Sequence, residues 1–177
     1  VILERYEDKI EVVAINAGSS TDIKGWEYLL KYDSVYGRLL NHEVKSQIPN
    51  LKSQINPNDQ NTKFQIDMIG ALVVDGKKIP VFSQKDPSLL PWKDLDVDVV
   101  IESTGNFLTE EKLKSHLIAG AKKVVLSAPA KGDGQIDTFV LSVNDKDYKG
   151  QTFISNASCT TNCIAPVAKI IQDHFGI

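Results

Sequence analysis

The hydrophobic positions of this chain alternate between short continuous runs and helical spacings. Residues 10–16, 97–101 and 123–127 are rich in valine and isoleucine, which is typical of strands buried on both faces of a parallel sheet. Helical spacings follow the first two runs. The first helix would be capped by Thr21 or Asp22 and extend to Leu30, and the second would begin at Thr109 and extend to about Ala119. This alternation predicts an α/β fold built on a doubly wound parallel sheet.

Residues 32–81 have a different pattern, with short β-rich pieces between turn residues. Residues 64–69 alternate like a strand, and Asp75-Gly76 is typical of a tight hairpin turn between residues 72–74 and 78–79. We therefore expect antiparallel hairpins at an edge of the sheet. Two further strands are predicted at residues 138–143 and 151–154, and helical spacing is visible at residues 1–8.

The last predicted strand gives way to a helix at Ser158-Cys159. Ser158 is a good N-cap, and apolar residues then recur at helical spacing, namely Ile164, Val167, Ala168, Ile171 and Phe175. Cys159 therefore falls in the first helical turn, where unpaired N–H groups and the helix dipole favour a thiolate that can attack a carbonyl carbon. The alternative is that Cys159 is a small buried hydrophobe, which is what we expect of Cys163 one turn later.

Small and polar residues stand at or just after the carboxyl ends of the predicted strands. They are Asn16, Ser103-Thr104-Gly105, Ser127 and Cys159. Because ligands of open parallel sheets bind beyond the carboxyl ends of the strands, one crevice could hold all of these residues. The alternative is that such residues end strands simply because they form turns.

Composition and charge narrow the possible functions. The 177 residues carry a formal net charge of -3, so the basic excess expected of a nucleic-acid-binding protein is absent. No apolar run reaches the length of a membrane span and the opening segment lacks the apolar centre of a signal peptide, so we predict a cytoplasmic protein without a membrane segment. The two cysteines are too few for a disulfide framework. His42, His116 and His174 lack metal-ligand spacing, so we predict no metal site and place the histidines on the surface or on helices.

Several separated segments resemble the glyceraldehyde-3-phosphate dehydrogenase family. The most specific is Ser-Asn-Ala-Ser-Cys-Thr-Thr-Asn-Cys at residues 155–163, followed by Ala165-Pro166, which is similar to the family's active-site segment. The family's nucleophilic cysteine falls at the position of Cys159. The other similar segments keep the family's order, at residues 29–37, 71–79, 85–87, 99–105 and 119–130.

The resemblance implies oxidation of a phosphorylated aldehyde with NAD or NADP as cofactor. Cys159 would form a thiohemiacetal with glyceraldehyde 3-phosphate, which loses hydride to nicotinamide and leaves a thioester that inorganic phosphate cleaves to 1,3-bisphosphoglycerate. Ser158 and Thr160 flank the nucleophile where the family handles substrate and phosphate. The family also implies a homotetramer for the full-length protein. The expected cofactor-binding residues are Asn16, Lys85, Ser103, Thr104, Gly105 and Ser127.

Three departures from the family are visible. The fingerprint Gly-x-Gly-x-x-Gly is absent, the chain stops before the strand that should carry the family's catalytic histidine, and residues 39–69 exceed the usual hairpin. We therefore expect an N-terminally truncated NAD(P)-binding domain at residues 1–158, whose Rossmann-type sheet lacks its first strand and carries a β-hairpin insertion. Residues 159–177 would be the first helix of the catalytic domain. Such a fragment should be inactive and poorly stable by itself. An erythrose-4-phosphate dehydrogenase and a non-catalytic nucleotide-binding module remain as alternatives.

The preference between NAD and NADP depends on the residues after Asn16. Family members that prefer NAD commonly have an aspartate directly after this position, where its carboxylate binds the ribose hydroxyls and repels the extra phosphate of NADP. Here residues 17–20 read Ala-Gly-Ser-Ser, and their hydroxyls and backbone N–H groups could bind that phosphate, with Lys24 adding charge. We therefore expect NADP to be accepted. The alternative is that Asp22 replaces the missing acid.

Overall fold

The chain falls into two compact units, each of which contains strands and helices. The computed structural model describes residues 2–48, 68–133 and 136–176. The units are Val1–Lys85 and Asp86–Ile177, and each has parallel strands, so the predicted α/β class is confirmed. The parallel strands lie in two sheets, one in each unit.

The first unit is built on a four-stranded mixed sheet. Its described elements are α1 (Ile2–Arg5), β1 (Ile15–Asn16), α2 (Ile23–Lys31), β2 (Tyr32–Asp33), β3 (Gly37–Arg38), β4 (Val44–Gln47), β5 (Met68–Val74) and β6 (Lys77–Phe82). The strand order is β1-β6-β5-β4, in which β1 runs parallel to β6 and the other neighbours are antiparallel. Strands β2 and β3 form a separate antiparallel pair.

The hairpin of β5 and β6 turns at Asp75-Gly76, as predicted from the sequence. These two residues have φ values of 49° and 82°, the positive values that a tight two-residue turn of this type requires. Leu72 and Val81 on the hairpin pack against Ile23 of α2 in a buried cluster. Helix α2 therefore covers one face of this sheet.

The second unit is built on a parallel sheet. Its strands are β7 (Val99–Glu102), β8 (Lys123–Leu126), β9 (Asp137–Thr138) and β10 (Phe153–Ser155), in the order β7-β8-β10-β9. Helix α3 (Glu110–Ile118) connects β7 to β8, and helix α4 (Cys159–Phe175) follows β10. Short 3-10 helices lie at Pro87–Leu89 and Asp145–Asp147.

Helix α3 begins where the sequence predicted. The side chain of Thr109 accepts a hydrogen bond from the Lys112 N–H and so caps the helix. One face of the helix is buried, where Leu113 packs in a cluster with Val124, Leu126 and Phe153 of the sheet. This cluster joins α3 to β8 and β10.

Two predicted strands are shorter than expected. The run at residues 10–16 is a strand only at Ile15–Asn16, and the one predicted at residues 138–143 is limited to Asp137–Thr138. The second difference has a local cause, because the Val140 N–H donates to the side chain of Asn144 and residues 141–144 form a turn. The predicted alternation at residues 64–67 and positions 49–67 of the predicted insertion lie outside the described residues.

Some apolar residues are more exposed than the sequence pattern predicted. Helix α4 has the predicted period, but within the described part of the chain none of its residues is buried, and Phe175 is 82% exposed. On β7, Val99 and Ile101 are about half exposed, so this strand is not buried on both faces. Leu29, an apolar residue of α2, is 60% exposed.

Candidate functional site

The carboxyl ends of three parallel strands form one edge of the sheet in the second unit. In the register of β7, β8 and β10, Glu102, Leu126 and Ser155 are neighbours. Backbone hydrogen bonds continue beyond them, because the Ser127 N–H donates to the Glu102 carbonyl and the Asn156 N–H to the Leu126 carbonyl, each at 2.9 Å. The segments that follow the three strands therefore leave the sheet side by side.

Most of the predicted site residues lie on these three segments. They are Ser103, Thr104, Gly105, Ser127, Ser158, Cys159 and Thr160. Asn16 and Lys85 belong to the first unit, where Asn16 is the last residue of β1 and Lys85 lies three residues beyond the end of β6. The prediction that one crevice holds Asn16, the Ser103-Thr104-Gly105 segment, Ser127 and Cys159 stays a prediction.

The turn between β10 and α4 is fixed by a buried hydroxyl group. Ser155 is 0% exposed, and its Oγ donates to the Ala128 carbonyl at 2.7 Å and accepts from the Ala157 N–H at 3.0 Å. Ala157 has a φ of 59°, a conformation that costs a non-glycine residue energy and that this hydrogen bond helps to hold. The turn thereby sets where the following helix begins.

Helix α4 begins at Cys159 with a well-formed cap. The Ser158 Oγ accepts a hydrogen bond from the Thr161 N–H at 3.0 Å, as the sequence predicted. The Asn162 side chain donates to the carbonyls of Asn156 and Ser158 at 2.7 and 2.9 Å, which ties the first turn back to the loop. Cys159 is thus the first residue of a 17-residue helix and is exposed to solvent.

The surroundings of the two thiols differ from the expectation for Cys163. Both cysteines are free and exposed, so the prediction that Cys163 is a buried hydrophobe is wrong. The reason is that α4 has no buried residue within the described part of the chain. The Cys159 Sγ lies 4.0 Å from the Thr160 hydroxyl, which is a weak contact. The cysteines therefore differ in their distance from the helix start, and both are open to solvent.

The loop after β7 is held by the carboxylate at the end of the strand. The Thr104 N–H and hydroxyl donate to the Glu102 Oε1 at 2.7 and 2.5 Å, and the Asn106 N–H donates to the Thr104 Oγ1 at 3.2 Å. Gly105 has a φ of 78°, and no atom lies within 4 Å of the position that a Cβ would take. The loop therefore leaves open space at this residue, which is compatible with close approach of a ligand.

Beneath this loop lies a buried polar network that the sequence pattern did not predict. Glu102 and His116 are each 3% exposed, and the His116 Nε2 lies 3.1 Å from the Glu102 Oε2. On its other side, the His116 Nδ1 accepts a hydrogen bond from the Trp92 Nε1–H at 3.2 Å. His116 therefore lies on a helix, which is one of the two predicted locations, but it is buried and paired with an acid that the sequence pattern did not predict. Its spacing of three residues from Leu113 was the available signal, since both lie on one helical face.

The ionisation of Glu102 reflects this network. Burial raises the pKa of the carboxyl, but hydrogen bonds from His116 and from Thr104 outweigh burial and hold the pKa below its ordinary value of 4.5. The side chain is therefore a carboxylate at neutral pH. As a carboxylate it accepts every hydrogen bond that it makes here.

In the first unit, Asn16 holds the segment that follows β6. Its side chain donates to the Gln84 carbonyl at 2.9 Å and accepts from the Gln84 N–H at 3.0 Å. The Ser83 hydroxyl donates to the Gly18 carbonyl at 3.2 Å, which joins this segment to the loop after β1. Asn16 therefore fixes the backbone next to Lys85.

The loop after β1 contains the residues predicted to select between NAD and NADP. Gly18 has a φ of 64° with no atom within 4 Å of a Cβ position, so its backbone is open to a ligand. Asp22 accepts a hydrogen bond from the Gly25 N–H at 2.8 Å and caps α2. The Ser20 Oγ accepts from the Trp26 Nε1–H at 3.1 Å, whereas Ser19 is exposed.

In each unit, taken by itself, the residues at the carboxyl ends of the parallel strands are of types that suit a nucleotide cofactor. Exposed hydroxyls, glycines with open backbone and one lysine follow the carboxyl ends of parallel strands, which is where α/β proteins bind such cofactors. Metal ions have no comparable site, because the described residues contain no group of three or more histidine, cysteine or acidic side chains that could hold one. In the same residues, no helix is long and apolar enough to cross a membrane.

Comparisons with known proteins agree with this geometry. Residues 58–110 match the family model described as glyceraldehyde 3-phosphate dehydrogenase, NAD binding domain. The chain is 45% identical to the cytosolic glyceraldehyde-3-phosphate dehydrogenase of Trypanosoma brucei brucei, over 95% of this chain and 43% of that protein. It is 47% identical to the glyceraldehyde-3-phosphate dehydrogenase of Serratia odorifera, over 95% of this chain and 48% of that protein. It is also 47% identical to the glyceraldehyde-3-phosphate dehydrogenase of Thermotoga maritima, over 100% of this chain and 46% of that protein.

The alignments cover nearly the whole length of this chain but only part of each relative. The chain spans about half the length of the curated relatives that it matches. It contains the segment with Cys159, and its parallel strands and open glycines suit the dinucleotide-binding part of such proteins. The chain belongs to the glyceraldehyde-3-phosphate dehydrogenase family.

Proposed function

We propose that the protein containing this chain oxidises glyceraldehyde 3-phosphate to 1,3-bisphosphoglycerate with a nicotinamide cofactor and inorganic phosphate. The observation that carries the proposal is the position of Cys159, an exposed thiol at the first residue of α4 and at the carboxyl edge of parallel strands. The names of the relatives support the reaction. The similarity of residues 155–163 to the family's active-site segment supports the role of Cys159 as nucleophile.

In the proposed reaction, this chain supplies the nucleophile. The Cys159 sulfur bonds to the aldehyde carbon, and the N–H groups at the start of α4 stabilise the negative charge that the sulfur carries into the reaction. When bound, the nicotinamide supplies the acceptor for the two electrons of the oxidation. Inorganic phosphate then attacks the thioester carbon, the carbon–sulfur bond breaks, and the thiolate is restored. Ser158 and Thr160, next to the sulfur in the chain, would contact substrate and phosphate.

The residues proposed to bind the cofactor lie at or after the carboxyl ends of strands. Ser103, Thr104, Gly105 and Ser127 would contact it from the second unit, and Lys85 and the Asn16 region from the first. Lys85 keeps the positive charge of the arginine that the family often has at this position, but it cannot form the same two-pronged hydrogen bond. The boundary between a dinucleotide-binding domain at residues 1–158 and a catalytic domain from residue 159 is part of this proposal.

We also propose that the 177 residues alone do not catalyse the reaction. Oxidation requires a base that removes the hydroxyl proton of the thiohemiacetal. His174 is 15 residues from Cys159 on the same helix, about 22 Å along its axis, and cannot reach the sulfur-bound carbon. His116 is buried and uses both ring nitrogens in hydrogen bonds. Neither histidine of this unit therefore suits the role.

The proposed cofactor preference includes NADP. In the structure, the Asp22 carboxylate caps α2 by accepting a hydrogen bond from the Gly25 N–H. This supports the proposal that no acidic side chain of this loop binds the ribose hydroxyls and repels the 2′-phosphate of NADP. Ser19 and the open backbone of Gly18 remain for a 2′-phosphate. Steady-state kinetics with both cofactors tests this proposal. A preference for NAD of about a thousandfold, roughly 4 kcal/mol, would show that an acid does guard the site.

The central experiment uses protein expressed from the complete coding sequence. We expect NAD reduction, followed by absorbance, that requires both glyceraldehyde 3-phosphate and inorganic phosphate. Cys159→Ser should abolish the reaction, while the matched variant Cys163→Ser, altered one turn further along α4, should retain it. Loss of activity in Cys163→Ser alone would overturn the assignment. A higher kcat/KM for erythrose 4-phosphate would favour that substrate, and binding without reduction would favour a nucleotide-binding module.

Two further properties are proposals of the same kind. A homotetramer is expected for the complete protein, and light scattering would measure its mass. A cytoplasmic location is supported by the name of the cytosolic relative from Trypanosoma brucei brucei. Cell fractionation with an antibody against this chain would test the location.

A further inference from the structure

A continuous line of hydrogen bonds runs from the interior of the second unit to the loop after β7. The Trp92 Nε1–H donates to His116, His116 contacts Glu102, and Glu102 accepts two hydrogen bonds from Thr104. Trp92, His116 and Glu102 are 5%, 3% and 3% exposed, whereas Thr104 and its neighbours in the loop are exposed. A buried set of polar groups therefore anchors an exposed loop from below. We call Trp92, His116 and Glu102 the buried relay.

The donors and acceptors of the buried relay permit a single arrangement. The indole Nε1–H of Trp92 can only donate, so the His116 Nδ1 must accept and carry no proton. The neutral ring then carries its proton on Nε2, which donates to the Glu102 Oε2 at 3.1 Å. The other carboxylate oxygen, Oε1, accepts the N–H and hydroxyl of Thr104. Each member of the relay thus determines the hydrogen bond made by the next.

Resting on the proposed function, we propose that Trp92, His116 and Glu102 are positioning residues that hold the Ser103-Thr104-Gly105 loop in its cofactor-binding conformation. The loop has no helix or strand of its own, and Glu102 ties two of its polar groups, the N–H and the hydroxyl of Thr104. The hydroxyl in turn accepts the Asn106 N–H at 3.2 Å, so the anchor extends to both sides of Gly105. Fixing such a loop before binding removes part of the ordering cost that the cofactor would otherwise meet.

The test compares three variants of protein expressed from the complete coding sequence. Glu102→Gln keeps the shape of the side chain, but its amide N–H₂ group faces the His116 Nε2–H or the Thr104 donors, so one hydrogen bond must be lost. Trp92→Phe removes only the indole donor and keeps the carboxylate and Thr104 contacts. His42→Gln is the matched control, because His42 also contacts a carboxylate, that of Asp75 at 2.6 Å, but in the first unit.

The expected result separates cofactor binding from chemistry. Glu102→Gln should raise the Kd and KM for NAD about tenfold, because roughly one hydrogen bond that orders the loop is lost. Its kcat should stay within about twofold of the value for the unaltered protein. Trp92→Phe should raise them by about two- to threefold, because its contact with the loop is indirect. His42→Gln should leave Kd, KM and kcat unchanged. A purely structural role would lower thermal stability and the active fraction without changing the Kd of the folded protein.

Nitrogen-15 spectra give an independent readout of the relay. In the unaltered protein, His116 should show a protonated Nε2 and an unprotonated Nδ1, and Trp92→Phe should remove this fixed tautomer. A protonated Nδ1 in the unaltered protein would overturn the donor order. If the unaltered protein binds NAD and Glu102→Gln binds it equally well, the positioning role is wrong while the proposed function stands. If the unaltered protein does not bind NAD, the proposed function fails, and the role of the relay fails with it.

Discussion

Replacing Glu27 by glutamine should destabilise the first unit, because this carboxylate joins α2 to the sheet. Its Oε1 accepts a hydrogen bond from the Lys31 Nζ at 2.5 Å, one turn along the same helix. Its Oε2 accepts the Ser46 N–H at 2.8 Å and the Ser46 hydroxyl at 2.5 Å, both on β4. The glutamine keeps the size of the side chain but loses the charge and turns one acceptor into a donor.

The magnitude follows from the ionisation of the carboxyl. Hydrogen bonds from Lys31 and from Ser46 lower the pKa of Glu27 from 4.5 to about 2. Converted fully, this change corresponds to roughly 3 kcal/mol of stability. The Glu27 and Lys31 side chains are 23% and 34% exposed, so water screens their attraction and the full value is a ceiling. We therefore expect Glu27→Gln to lower the free energy of unfolding by about 1–2 kcal/mol at pH 7.

The same reasoning fixes the pH dependence of the effect. Because the pKa of Glu27 is lower in the folded state, its contribution is present above pH 4.5 and is lost as the pH falls toward 2. The difference in unfolding free energy between the unaltered protein and Glu27→Gln should therefore fall to less than about half of its pH 7 value by pH 3. Urea unfolding followed by circular dichroism at both pH values measures this difference.

A matched variant controls for the loss of a surface charge. Glu43 contacts the Lys45 Nζ at 2.6 Å, but both side chains are about two-thirds exposed, so Glu43→Gln should cost less than about 0.5 kcal/mol. Equal costs for Glu27→Gln and Glu43→Gln would refute the argument. So would a difference for Glu27→Gln that does not change between pH 7 and pH 3.

Two further predictions concern a glycine and the cysteines. Gly120→Ala should lower the free energy of unfolding in urea by about 3 kcal/mol or more, because φ is 110° and the new Cβ would clash with the Lys93 Cβ. Gly76→Ala should cost only about 1 kcal/mol, because this residue has a φ of 82° but open space around the new Cβ. Similar costs for the two variants would contradict the steric argument. Two single-cysteine variants compare the thiols with iodoacetamide at neutral pH. The variant that keeps only Cys159 (Cys163→Ser) should react about tenfold faster than the variant that keeps only Cys163 (Cys159→Ser). The reason is that both thiols are exposed but only Cys159 lies next to the free N–H groups at the start of the helix. Equal rates, measured by peptide mapping, would show that the helix start does not activate the thiol.

The sequence predicted those features of the fold whose signals are local. The caps at Thr109 and Ser158 were visible, and Asp22 was one of two candidates for the cap of α2. In the structure each of these three side chains accepts an N–H from the first turn of its helix. The hairpin turn at Asp75-Gly76 was visible for the same reason. Each of these signals depends on a few adjacent residues and on backbone conformations that few residue types favour, so no tertiary contact is needed to interpret it.

The contacts that the sequence did not reveal join residues far apart in the chain. His116 was placed on the surface or on a helix without a partner, because no acidic residue has useful spacing from it. The structure brings it to Glu102, 14 residues away, and to Trp92, 24 residues away. Periodicity has a similar limit in α4, since it shows which face of the helix is apolar but not whether another element covers that face.

Polar residues at strand ends illustrate the same limit within the candidate site. Asn16 uses its amide oxygen and nitrogen to hold the Gln84 backbone, and Ser158 uses its hydroxyl to cap α4. The exposed hydroxyls of Ser103 and Ser127, by contrast, make no hydrogen bond to the residues that the structure describes. All four residues are polar and lie at or shortly after the end of a strand, so only the partner of the side chain separates a structural role from a ligand contact. Ser103 and Ser127 are therefore the stronger candidates for direct contact with the cofactor, whereas Asn16 would act by holding the backbone next to Lys85.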